Sequence, residues 1–201
     1  MKRSDRHKTN LNSCNDDVML FRAFLAGDDD AYTAIYNKYA DELFGYGIGL
    51  GFEQEILKDA IQDIFYVFYI QKKQLTEIKN LKYYLFKMLK NRLLDIYKSA
   101  SMTKELNSSE INFTIKTTIL DDLIEEEESI ILQNKINKLL DTLTSRQKEA
   151  VYLRFIQELE YEEIGTLLDM TPQAARKLIF RAIKRMREEN VPLHIFLTLF
   201  Y

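Results

Sequence analysis

At 201 residues and 46% hydrophobic content, the chain has room for one large or two small globular domains. A single cysteine, Cys14, and two distant histidines, His7 and His194, exclude an internal disulfide and argue against a zinc cluster or a histidine-based triad, so no catalytic, cofactor-binding or metal-binding residues are expected. The net charge is −3, and any affinity for nucleic acid therefore has to come from local segregation of cations.

Residues 1–14 are polar and read as a disordered tail, with no apolar core of signal-peptide type behind Met1 to Asn10. The most apolar stretches, Ile64 to Ile70 and Val191 to Tyr201, fall short of the roughly 20 residues a spanning helix needs. A cytoplasmic location without membrane insertion is the expectation. Two prolines, six glycines and a helical period in almost every apolar segment predict an all-α fold of two small helical domains joined by a flexible linker.

The first domain is expected over 15–98, and its charge comes in blocks. From Asn15 to Tyr69 three basic residues face eleven acidic ones; from Ile70 to Lys98 eight basic residues face two acidic ones. In the acidic block, Ile61, Ile64, Phe65 and Phe68 fall at i, i+3, i+4 and i+7, the buried side of a helix. Asp59, Gln62, Asp63 and Tyr66 are left on its other side. That face is either a solvated surface or, as its acidity suggests, a dock for a basic protein partner. In the basic block, Leu85, Leu89, Leu93 and Ile96 form the apolar stripe of a helix over Leu81 to Lys98. Lys87, Lys90, Asn91 and Arg92 lie around that stripe, and Tyr83, Tyr84, Phe86 and Tyr97 interleave with them. Cations that track phosphates beside rings that stack on bases suit single-stranded DNA, unless the aromatics belong to the core.

Periodicity lapses over 99–128, a segment rich in Ser, Thr and Asn that ends in Asp121, Asp122 and Glu125 to Glu128, and it is read as the acidic flexible linker. A second domain is expected over 129–190, with Ile130, Ile131, Ile136, Leu139, Leu140 and Leu143 opening its apolar pattern. Thr144 and Gln147 have capping-box spacing, which predicts a helix reaching Phe155.

The last two helices of this domain carry the most information. Ile164, Leu167 and Leu168 share one face of a first helix from Tyr161, and Asp169 and Met170 break it. Thr171 then supplies an N-cap hydroxyl and Pro172 a first helical residue. In the second helix Ala175, Ile179, Ala182, Ile183 and Met186 form the inward stripe, while Gln173, Arg176, Lys177, Phe180, Arg181 and Lys184 face outward. Six Lys or Arg and no acid stand between Thr171 and Arg187. The helix macrodipole accounts for those near the C-terminus but disfavours Arg176 and Lys177 by roughly 0.3–1 kcal/mol, so phosphates are the expected counterpart. An apolar tail, 191–201, closes the sequence.

In order and spacing these blocks resemble a bacterial RNA polymerase sigma factor of the sigma-70 family, in its extracytoplasmic-function (ECF) group. Phe24-Leu-Ala-Gly-Asp28, Ala31-Tyr32 and Tyr36-Asn-Lys-Tyr39 resemble the opening of that group's first domain, and Asp59-Ala-Ile-Gln-Asp-Ile-Phe65 its most recognisable helix. Tyr84-Leu85, Lys90-Asn-Arg92 and Asp95 match the next helix; Leu143, Arg146-Gln147, Tyr161-Glu-Glu-Ile164 and Thr171-Pro172 match the second domain. The resemblance implies core polymerase and promoter DNA as partners, and leaves an anti-sigma factor open. Asp59, Gln62, Asp63 and Tyr66 would bind the clamp coiled coil of the largest polymerase subunit. Lys79, Asn80, Lys87, Lys90, Asn91 and Arg92, with the loop from Lys73, would serve the minus-10 element. Thr171, Gln173, Arg176, Lys177, Phe180, Arg181 and Lys184 would serve the minus-35 element. Against the family pattern, Asp169 replaces a usual Gly, which its tolerance of a left-handed turn allows. Gly165 replaces a usual Ala, which by helix propensity loosens the first helix by about 1 kcal/mol. Ala174 replaces a common Thr. The rival expectation is a helix-turn-helix regulator that binds an operator without core polymerase, which leaves the acidic and basic helices of the first domain unexplained.

Overall fold

The computed structural model describes residues 5–100, 112–115 and 137–188, and among them the regular structure is helical throughout. The chain divides into two compact units, one of Met1–Gly47 with Glu53–Tyr97 and one of Ile48–Phe52 with Lys98–Tyr201.

The first unit is built on α1 (Asp5–Ala26), α2 (Asp29–Gly49), α3 (Gln54–Ile70), a 3-10 turn (Lys72–Gln74) and α4 (Leu81–Ala100). Between α1 and α2 the chain reverses at Gly27, whose φ of 104° only glycine adopts readily. Its N–H donates to the Phe24 carbonyl at 3.0 Å, while the Asp28 carboxylate accepts from the N–H groups of Asp30 and Ala31 and so starts α2. The core is largely aromatic. Phe24 stacks on Phe68 with ring centroids 4.7 Å apart, Tyr32 and Phe65 close around them, and Tyr46 meets Phe86 at 5.1 Å. Each such ring contributes about 1.5–3 kcal/mol when fully buried.

One expectation changes in this unit, and one alternative closes. A disordered tail was expected over 1–14, yet α1 begins at Asp5. Once Phe21 and Phe24 have anchored its C-terminal half, the unfavourable nucleation step is already covered and further residues add one hydrogen bond each. Of the aromatics left open between base stacking and the core, Phe86 is fully buried and Tyr84 is half-buried at 6.4 Å from Phe68. These two rings serve the core.

In the second unit, helical residues 137–141 precede α5 (Ser145–Phe155), α6 (Tyr161–Leu167) and α7 (Pro172–Glu188). The capping box of α5 is formed: Gln147 N–H donates to Thr144 Oγ1 at 3.3 Å and Thr144 N–H to Gln147 Oε1 at 3.0 Å. Leu139, Leu140, Leu143, Val151, Ala182 and Met186 make one core, against which Ile115 and Phe155 pack. Within the expected linker only 112–115 are described, and there Phe113 is buried, its ring 5.3 Å from Tyr152 and its N–H donating to Ser145 Oγ. The expectation of a loose segment fails at these residues, because Phe113 needs no core of its own when α5 offers one. Residues 129–136 and the apolar tail 191–201 lie outside the described residues.

Candidate nucleic-acid and partner interfaces

The outward face of α3 is assembled as its period requires. Asp59, Gln62, Asp63 and Tyr66 are all exposed, with Tyr66 at 67%. Ile70, 61% exposed, and Val67 extend the same side, and Tyr36 stands exposed with its ring 4.7 Å from Phe65. A carboxylate edge beside a bare aromatic and aliphatic strip is protein-binding chemistry, since phosphates would be repelled by the acids and gain nothing from Ile70. Sequence reading missed Ile70, although it stands four residues after Tyr66 and seven after Asp63 and so shares their face.

The basic helix α4 is more altered from expectation. Lys79, Lys87 and Asn91 are exposed, and the Lys87 ammonium lies 5.9 Å from the Tyr83 ring centroid. Asn80 is engaged as the cap of α4, its side-chain oxygen accepting from Tyr83 N–H at 3.1 Å. Lys90 is only 6% exposed and is not presented to a phosphate. The reason is geometric: Phe86, Lys90 and Leu93 fall at i, i+4 and i+7, and α4 buries a wider arc than the narrow leucine stripe indicated. Arg92 is exposed but paired: its Nη2 and Nε donate to Asp63 Oδ2 at 2.6 and 3.1 Å. One residue expected on the polymerase side and one expected on the DNA side thus hold each other. The loop before α4 is pinned by buried Leu75, whose carbonyl accepts from Ile78 N–H at 3.1 Å.

In the second unit α6 and α7 form the expected helix-turn-helix. Asp169 takes the left-handed conformation, φ 49°, and Met170 N–H donates to the Gly165 carbonyl at 2.8 Å. Thr171 Oγ1 accepts from Ala174 N–H at 3.2 Å, which makes Thr171 the N-cap of α7. Ala175, Ile179, Ala182 and Met186 are buried, Ile183 is half-buried, and Gln173, Arg176, Lys177, Phe180, Arg181 and Lys184 are exposed. Phe180 is bare to 66%. Among the described residues none of Arg176, Lys177, Arg181 and Lys184 has a carboxylate partner, so their charges remain available. Arg185 differs: its Nη1 donates to the Thr142 carbonyl at 3.0 Å and ties α7 to the end of helical residues 137–141. Arg146 braces the turn from behind through the Leu168 carbonyl.

Gly165 corrects the propensity argument. A Cβ there would stand 2.8 Å from the Met170 carbonyl oxygen and 3.2 Å from Pro172 N, and both obstacles are backbone. Glycine is what lets the turn close onto α6.

A paired acidic and apolar helix face in one unit, and a helix-turn-helix with an outward cationic helix in the other, define a DNA-binding protein built to engage a protein partner as well. The family described as Sigma-70, region 4 matches residues 133–186, which span α5 to α7. The ECF RNA polymerase sigma factor SigM of Bacillus subtilis is 20% identical over 153 residues, 76% of this chain and 91% of SigM. Two solved structures share the fold. CnrH, in complex with the cytosolic domain of CnrY, aligns with a TM-score of 0.54 at 15% identity over 86% of this chain and 95% of that one. The sigma factor RpoE of Bartonella quintana, in complex with the anti-sigma factor NepR, aligns with a TM-score of 0.55 at 18% identity over 79% and 95%. The region 4 match over residues 133–186 and the likeness of most of the chain to SigM support an extracytoplasmic-function sigma factor of the sigma-70 family.

Proposed function

We propose that this chain, a promoter-directing transcription initiation factor, docks on core RNA polymerase through the outer face of α3 and reads the minus-35 element with α7. Asp59, Gln62, Asp63, Tyr66 and the adjoining Ile70 meet the clamp coiled coil of the largest subunit. Gln173, Arg176, Lys177, Phe180, Arg181 and Lys184 enter the major groove, with Thr171 capping the helix that carries them. Lys79, Lys87 and Asn91 track the minus-10 strand, joined by Arg92 when it leaves Asp63; Asn80 and Lys90 support α4 from within.

The observation that carries this reading is the coincidence of the region 4 match with an α7 surface whose outward cations have no carboxylate partner among the described residues. An operator-binding regulator would use that helix equally well, but it has no task for the acidic and aliphatic face of α3. The chain does no covalent chemistry in this scheme. Opening the promoter costs several kcal/mol, supplied by phosphate contacts, base capture and stacking summed over both units. The work takes place in the cytoplasm, and an anti-sigma factor of the kind bound to RpoE is the expected inhibitor.

Reconstituted run-off transcription from a selected promoter tests the proposal. Specific transcripts are expected only when the chain is added to core polymerase; promoter occupancy by the chain that is equal with and without core polymerase, with no specific transcript on mixing the two, would favour the operator-binding alternative.

A further inference from the structure

Tyr161, the first residue of α6, is placed between two guanidinium groups. Arg154 Cζ lies 4.8 Å from its ring centroid and Arg176 Cζ 5.8 Å from it, both within the range of cation–π attraction. Arg154 belongs to the frame: its Nη1 donates to the Leu159 carbonyl at 2.7 Å and lies 3.3 Å from Glu160 Oε1. Arg176 is exposed, with no carboxylate partner among the described residues, in a turn of α7 where the helix dipole opposes a cation. Tyr161 and Arg176 also share the wall of an open groove of about 650 Å³ that includes Phe180, Arg181 and Ile183.

An arginine on a free stem reaches phosphates as well as bases. One drawn toward a ring, as Arg176 is with its Cζ 5.8 Å from the Tyr161 centroid, has fewer directions open to its planar fork, which favours bidentate recognition of a guanine N7 and O6 edge. We propose that Tyr161, backed by Arg154, is a positioning residue that aims Arg176 at a guanine and so sets sequence specificity without itself reading a base. The inference rests on the minus-35 reading of α7 given above. It assigns to α6 a part in selectivity beyond packing.

The test is selection from a duplex library randomised across the minus-35 region, using holoenzyme assembled from the full chain and core polymerase. Tyr161→Phe should return the wild-type preference, because the ring face is retained. Tyr161→Leu, which keeps apolar volume and loses the ring, should relax the preference for one guanine by roughly five- to tenfold while leaving other positions and the salt dependence of binding unchanged. Arg176→Lys should relax the same guanine, and combining it with Tyr161→Leu should add little. Equal guanine enrichment by Tyr161→Leu and wild type, or a uniform loss at every position in a variant with unchanged thermal stability, overturns the inference. Should Tyr161→Leu unfold, Arg176→Lys against Tyr161→Phe decides, since a guanine preference untouched by lysine leaves Tyr161 nothing to aim. A wild-type holoenzyme that enriches no sequence defeats the minus-35 reading itself, and the inference with it.

Discussion

Gly165 separates two physical arguments with opposite signs. Helix propensity alone makes Gly165→Ala stabilising by about 1 kcal/mol, whereas the new methyl group would press on the Met170 carbonyl oxygen at 2.8 Å. That oxygen is backbone and cannot rotate away, so crowding wins. We expect Gly165→Ala to lose about 1–3 kcal/mol in urea unfolding of the full chain and to weaken promoter binding, because the turn that spaces α6 from α7 has to open. A stabilised variant would show that the turn yields cheaply. Sequence alone cannot reveal this, since the clash joins residues that look innocuous until the turn has closed. The left-handed Asp169 beside it was legible, because its tolerance of that conformation is a property of the residue itself.

At the scale of helices, α3 and α7 were readable because each packs one narrow arc, so a single periodic stripe separates inward from outward residues. Helix α4 was not, and Lys90 was misplaced with it, because it is covered over more of its circumference. The ion pair between Asp63 and Arg92 was equally hidden, joining residues 29 apart in the sequence on two helices. It has a measurable consequence. Both side chains are about half exposed, so the pair is worth no more than about 1 kcal/mol, yet it occupies a cation that, on the proposed minus-10 role of α4, would otherwise meet DNA. Asp63→Asn should therefore weaken binding to core polymerase while raising the free chain's affinity for a single-stranded oligonucleotide by up to about fivefold. Fluorescence anisotropy with both ligands checks this, with Arg92→Gln in the same background expected to remove the gain. An Asp63→Asn chain that gains no affinity for the oligonucleotide would place Arg92 outside the DNA path.

For the molecule as a whole, a net charge of −3 means that DNA is not drawn to it indiscriminately; attraction is confined to places where cations lack carboxylate neighbours. Among the described residues those on α7 are Arg176, Lys177, Arg181, Lys184 and Arg187, while Arg185 is engaged by the Thr142 carbonyl. If Lys177, Arg181 and Lys184 each neutralise one phosphate while Arg176 takes a base, counterion release gives the minus-35 contact of the holoenzyme a slope of log affinity against log salt of about −2.7. Replacing Arg176 and Arg181 together by alanine should reduce that slope by about one and abolish selection at the base assigned to Arg176, with core polymerase binding unchanged because α3 is untouched. Holoenzyme binding measured from low to physiological salt distinguishes the outcomes. A slope and a base selection that stay the same in the double variant would mean that these arginines meet no phosphate or base, and α7 would then lose its claim to be the reading helix even though the fold around it stands.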